Sequence, residues 1–297
     1  MERLEVVNFA IYPLISENAD YKITEVVRDS EINDIVQTLV RQDVNAARTN
    51  GRNRDYTVAF QGHTNSRSRQ DQAPQKLFTR VSQSLLNKPS YRALKALFDN
   101  YNPNTGIRER SSRIKEREVN RFLDTVMNST VMETVRNFLR NKKYHYAKDP
   151  SEFRSLINQL WFETYSRARG QLDTSGFEHV FVGEWKNGVS GLHNWLRYYY
   201  LEDSGDIDYK GFIIKRGTIF AMIQYSWGRQ IKPSGSFFIG TSPEFDFALY
   251  TLCFIAKPGY NACKFRINDT PFTITSYDTT QRGKMFVGSL FPSPARR

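Results

Sequence analysis

The sequence predicts an α+β fold, with a mainly helical N-terminal lobe over residues 1–168 and a β-rich lobe over residues 169–297 made of small antiparallel sheets with two or three helices. Three observations carry this. Apolar residues in the first half recur at three- and four-residue spacing, the period of an amphipathic helix. Glycine becomes frequent from about Gly170 onward. Short β-branched and aromatic runs, each bounded by turn residues, then follow one another to the C-terminus.

Taken in order, Ile32, Ile35, Val36, Leu39 and Val40 mark the first helix, within residues 30–47, with Asp29 or Ser30 as its cap. The polar stretch Thr49–Gln75 has room for one short strand, near "YTVAF". "SYRALKALFDNY" reads as a helix ending at the turn signal "NPNTG". "EREVNRFLDTVMNSTVMETVRNFLRNKK" holds two helices, the second opened by Thr130 and Glu133 at capping-box spacing. "DPSEFRSLINQLWFETYSR" opens with Asp149 as cap and Pro150 at the first helical position. Its apolar face is Phe153, Leu156, Leu160 and Trp161.

In the second half, "HVFVGEW", "KGFIIKR", "TIFAMIQYSW", "SFFIGTS", "KFRIND", "FTITSYD" and "MFVGSLF" read as strands, and together they could form two small sheets. "GLHNWLRYYYLED" and a helix starting at "TSPEFDFALYTLCFI" interrupt them, the latter with Ser242 as cap and Pro243 at the first helical position.

Length and composition bound the function. The 297 residues suffice for a sizeable core, and the net charge of +11 favours a polyanionic partner, nucleic acid or an anionic membrane face. Cys253 and Cys263, the only cysteines, form neither a disulfide framework nor a zinc pattern. They are read as buried thiols in preference to a single bridge. The apolar segment Val6–Ser16 is interrupted by Asn8 and Pro13 and is too short to span a membrane. The chain is therefore expected to be soluble and monomeric, in a compartment the sequence leaves open.

Two of the four histidines, His179 and His193, sit together in "SGFEHVFVGEWKNGVSGLHNW", each beside glycine. They can be structural turn residues, metal ligands or an acid/base pair. Zinc fits poorly, because adjacent Glu178 and His179 on a strand point to opposite faces and no HExxH spacing occurs. Glu178 and Glu184, six apart, would share a strand face and could hold Mn²⁺ or Ca²⁺. An acid/base pair needs a cation for developing negative charge, and Lys232 in "QIKPSGSFFIGTS" is a candidate.

"GFEHVFVGE", "GLHNW", "DIDYKGF", "KPSGSFFIGTSPEFDFALYT" and "VGSLFP", in this order, resemble the EndoU family. That family contains the XendoU-type uridylate-specific endoribonucleases of animals and shares a catalytic core with the coronavirus enzyme. Weaker similarity at "QDVNAAR", "KLFTRV", "PSYRALKALFDNY" and "DPSEFRSLINQLWFETYSR" extends it over residues 30–297 as one domain. The resemblance implies His193 as general base, His179 as general acid and Lys232 as phosphate stabiliser. It implies cleavage of uridine-containing single-stranded RNA to 2′,3′-cyclic phosphate and 5′-OH ends. It also implies activation by Mn²⁺, with Glu178 and Glu184 supporting the histidines or linked to the metal. Base recognition falls on Ser289 and Phe291, where Phe291 replaces the usual tyrosine. The alternative is an RNA-binding protein of the same fold that does not cleave.

Overall fold

A computed structural model describes residues 21, 23–49, 51, 53–68, 70–168 and 170–295. The apolar segment Val6–Ser16 lies outside these residues. In the first half, helix α1 (Asp29–Gln42) buries Ile32, Ile35, Val36 and Leu39. Asp29 is its first residue rather than its cap, and the Glu31 carboxylate accepts the Arg28 backbone N–H at 3.0 Å. The helix stops at Gln42, short of the expected Ala47. The chain turns there and Asp43 accepts the Ser242 N–H at 3.2 Å.

A short antiparallel pair follows, β1 (Tyr56–Val58) and β2 (Phe78–Val81). Next come α2 (Gln83–Leu86), α3 (Pro89–Lys95), α4 (Arg113–Met127), α5 (Thr130–Asn141) and α6 (Pro150–Phe162). Ser129, not Thr130, caps α5, accepting the Met132 N–H at 3.3 Å and leaving Thr130 as the first helical residue. Asp149 caps α6 as expected, accepting from Ser151 and Glu152. Its face of Phe153, Leu156, Leu160 and Trp161 is buried.

The second half contains β3 (Glu184–Trp185), β4 (Val189–Ser190), α7 (Trp195–Asp203), β5 (Ile207–Arg216), β6 (Phe220–Trp227) and β7 (Gln230–Phe238). It ends with α8 (Pro243–Ala256), β8 (Gly259–Ile267), β9 (Thr270–Gln281) and β10 (Lys284–Pro294). Strands β5-β6-β7 and β8-β9-β10 form two three-stranded antiparallel sheets. Phe220 and Phe238 of the first meet Phe272 of the second at ring separations of 5.4 and 5.2 Å. Helix α8 runs through the centre with every residue buried, and beyond Glu244 and Asp246 in its first turn its sequence is apolar on almost every side. It packs on α3, α4 and α5 as well as on β8, β9 and β10, so helices of the first half and sheets of the second share one core.

Two expectations are corrected. "HVFVGEW" does not form one strand: Glu178–Val182 is a π-helical turn closed by the Gly183 N–H on the Glu178 carbonyl at 2.8 Å. The β-branched run suggested a strand, but Phe177 and Phe181 stack at 5.0 Å one helical turn apart, and the Ser175 hydroxyl accepts the Glu178 N–H. Cys253 and Cys263 are not thiols but a disulfide. The last turn of α8 and strand β8 bring their Cα atoms to 5.4 Å, within bridging range. Among the described residues no helix is long and apolar enough to cross a membrane.

Candidate active site

The two histidine segments are bound to each other through their backbones. The Leu192 N–H donates to the His179 carbonyl at 2.9 Å, and the His193 N–H to the Val180 carbonyl at 2.7 Å. Such proximity requires Gly191, where a Cβ would lie 1.8 Å from the His179 oxygen and where φ is +67°. Asn194 then caps α7, so His193 sits just before the helix rather than within it. Tyr250 of α8 donates its hydroxyl to the His193 carbonyl at 3.0 Å and fixes the loop from below.

The two rings have different partners. His193 Nδ1 lies 2.9 Å from the Ser236 carbonyl of β7. A carbonyl only accepts, so Nδ1 carries the proton and Nε2 keeps a free lone pair in the neutral ring. His179 Nδ1 lies 2.7 Å from Glu184 Oε1, and its Nε2 lies 3.1 Å from the Ser289 hydroxyl of β10. A carboxylate on Nδ1 favours the imidazolium form.

Burial shapes the charges. His193, 6% exposed, is pushed well below the usual histidine pKa, first by burial and then by the Lys232 charge. His179, 5% exposed, is pushed down to about 4 by burial and the Arg167 charge, with Glu184 opposing. Lys232 on β7, 9% exposed, is lowered to about 8 by burial, with Glu184 opposing. Lys232 acts on both histidines, so the three groups share one field.

Glu184 is the hub of the contacts around His179. Its Oε2 accepts the Thr174 hydroxyl at 2.7 Å, and Arg167 Nε lies 3.0 Å from Oε1. His179 and Arg167 hold its pKa down at about 2 against burial. Arg167 also donates through Nη2 to the Tyr165 hydroxyl at 2.6 Å and to the Gly288 carbonyl. It thereby ties the bulge of β10, where register shifts between Val287 and Ser289, to the Glu184–His179 pair. Sequence reasoning did not single out Arg167, Thr174 or Ser236. Arg167 sits in the polar run "YSRARG", and Ser236 contributes only a backbone oxygen, so neither leaves a side-chain signal in the sequence.

Glu178 does not share a face with Glu184 as a strand would require. It points into the protein, fully buried, with neither carboxyl oxygen hydrogen-bonded among the described residues. Burial, reinforced by Glu109 and Glu184, raises its pKa well above the usual carboxylate range. Mn²⁺ or Ca²⁺ does not fit this pair. Both Glu184 oxygens are committed, Glu178 points away from them into the protein, and no group of three His, Cys, Asp or Glu residues suited to a metal exists among the described residues.

Ser289 and Phe291 alternate with buried Leu290 and Pro292 on β10, so both face the histidines. The Phe291 ring lies 5.5 Å from that of His193, tilted by 33°. It is half-buried rather than a core aromatic. His179, His193, Lys232, Glu184, Ser289 and Phe291 thus gather at the meeting of the two sheets, and Glu178 lies behind them.

Comparison with known proteins identifies the family. The family model Endoribonuclease XendoU matches residues 31–292. Uridylate-specific endoribonuclease C of Xenopus laevis is 35% identical over 277 residues, covering 89% of each chain. Uridylate-specific endoribonuclease B of Danio rerio is 34% identical, covering 90% of this chain and 97% of its own. For the uridylate-specific endoribonuclease of Bos taurus, 35% identical, the match covers 90% of this chain but 66% of the bovine one. The solved structure of XendoU, described as a splicing-independent snoRNA-processing endoribonuclease, superposes with a TM-score of 0.74 at 31% identity, over 90% of this chain and 97% of that one. The chain belongs to the XendoU family of endoribonucleases.

Proposed function

We propose that this protein cleaves single-stranded RNA 3′ of uridine by attack of the ribose 2′-hydroxyl on the adjacent phosphorus. RNA carries its own nucleophile, so the protein has to move two protons and stabilise charge. His193 Nε2 takes the 2′-OH proton as the oxygen bonds to phosphorus. His179 Nε2 gives a proton to the leaving 5′-oxygen as the P–O5′ bond breaks. The products are a 2′,3′-cyclic phosphate and a 5′-OH, and the histidines exchange protons with water to reset. Lys232 stabilises the negative charge gathering on the phosphate oxygens.

The single observation that carries this is the contrast in what holds the two rings. His193 has its Nδ1 on a carbonyl, which leaves Nε2 as a base. His179 has its Nδ1 on a carboxylate, which supports a protonated ring. In the free protein burial keeps His179 mostly neutral at pH 7. An RNA phosphate beside it adds negative charge and raises the protonated fraction, so substrate binding helps to arm the acid. Ser289 vacates or shares Nε2 when the 5′-oxygen arrives. In this scheme Ser289 and Phe291 receive the uracil, Phe291 offering a stacking face without the phenol hydroxyl. No step is assigned to Mn²⁺ or Ca²⁺.

The test is an RNA holding one uridine, incubated with Mn²⁺ or with chelator, its product ends read by mass. Cyclic phosphate at the uridine is expected. Binding without cleavage in both lanes, or cuts with 3′-OH ends, would refute the proposal.

A further inference from the structure

Almost every aromatic side chain among the described residues is buried or half-buried. The exceptions are Tyr260, 73% exposed, and Tyr277, 42% exposed. Both lie in the sheet that carries Ser289 and Phe291: Tyr277 on β9 and Tyr260 on β8. Tyr277 is paired directly with Ser289, and Thr275 with Phe291. Residues opposite each other in an antiparallel pair project from the same face, with Cβ atoms about 5 Å apart. The alternate set on this stretch, Leu290, Ser276, Pro292 and Ile274, is buried. The Tyr277 ring therefore leaves the sheet on the face that carries the catalytic contacts, next to the hydroxyl that meets His179.

Burying a hydroxyphenyl ring is favourable, and a ring left exposed on a basic chain, beside an RNA-cleaving site, has an evident use. The order of groups gives its place. Phe291 lies against His193, the base; Ser289 lies against His179, the acid; Tyr277 stands across from Ser289, on the acid side. The acid protonates the oxygen that belongs to the nucleotide 3′ of the scissile phosphate. We propose that Tyr277 is the stacking platform for the nucleobase immediately 3′ of the cleaved uridine, a subsite distinct from the uracil site. Stacking tolerates any base, so this subsite holds the leaving nucleotide without selecting it.

The placement rests on His179 as the acid, but its test does not depend on cleavage. Binding is measured by fluorescence anisotropy with short oligonucleotides holding one 2′-deoxyuridine, which cannot be cut. Three are compared: fully based, abasic at the 3′ neighbour, and abasic at the 5′ neighbour. The unmodified protein is expected to lose about five- to a hundredfold in affinity on removal of the 3′ base. Tyr277→Ala should bind the full oligonucleotide more weakly by the same factor and lose nothing further when the 3′ base is removed. Tyr277→Phe, which keeps the ring, should behave as the unmodified protein. Full affinity in Tyr277→Ala, an undiminished 3′-base effect in that variant, or a loss tied to the 5′ base would each overturn the proposal. If the ribo-uridine oligonucleotide is never cut while the 3′-base effect persists, the reaction fails and the subsite stands.

Discussion

His193 donates through Nδ1 to the Ser236 carbonyl at 2.9 Å, and this bond sets which of its nitrogens can do chemistry. It is made by backbone from the same strand that carries Lys232. His193, the proposed base, and Lys232, the proposed phosphate cation, are therefore positioned by one element. Ser236 in turn donates its hydroxyl to the Pro292 carbonyl at 2.7 Å, anchoring β7 to the strand that holds Ser289 and Phe291.

His179, the proposed acid, has its own anchor in Glu184. Replacing it with glutamine removes the carboxylate that raises His179's pKa, so the protonated fraction falls at every pH. Glu184→Gln is expected to lower kcat about 10- to 100-fold and to move the alkaline limb of the profile to lower pH. Unchanged kcat with an unmoved limb would contradict this role.

The pH profile of kcat/KM reports the free protein, and its sign follows from the two shifted histidines. His193 is already deprotonated above its lowered pKa, so rising pH adds no base. His179, near 4, must be protonated to act, so each pH unit above that costs about tenfold. From about pH 6 to 7.5 log kcat/KM should fall with a slope of about −1. Above about 8 Lys232 also loses its charge and the slope should approach about −2. Lys232→Arg, which stays charged, should keep the shallower slope. A profile flat through neutrality would show that His179 is not the acid.

Gly191→Ala tests the packing of the two histidine segments. Its Cβ would collide with the His179 carbonyl, and the close approach has no flexible side chain to give way. Loss of cleavage together with a lowered urea midpoint is expected. Unaltered cleavage would mean that the segments do not need to meet.

The Cys253–Cys263 bridge closes a short loop, at a sequence separation of 10, between α8 and β8. Loop-closure entropy alone assigns it about 2–3 kcal/mol. Cys253→Ser with Cys263→Ser should unfold at lower urea by that amount while the intact native state still cleaves. An unshifted midpoint would show that the bridge contributes little.

How much of this was legible in the sequence varies by residue. Asp149–Pro150 and Ser242–Pro243 were readable because helix caps are local chemistry, and each took its expected place. The histidines and Lys232 were legible through their motifs, although their proximity is tertiary. The π-helical turn was not, because Val180 and Val182 carry strand propensity and only the packing of Phe177 on Phe181 overrides it. The strand reading also put Glu178 and Glu184 on one face, whereas Glu184 buttresses His179 and Glu178 is buried with no hydrogen-bond partner among the described residues. The disulfide was missed because the spacing of two cysteines does not reveal whether a helix end and a strand will meet.

The most direct measurement compares the unmodified protein with His193→Ala on the single-uridine RNA, with folding checked by circular dichroism and urea midpoint. A loss of about 10²- to 10⁴-fold in cleavage is expected, with both folding measures unchanged. Cleavage by a folded His193→Ala at the unmodified rate would contradict it.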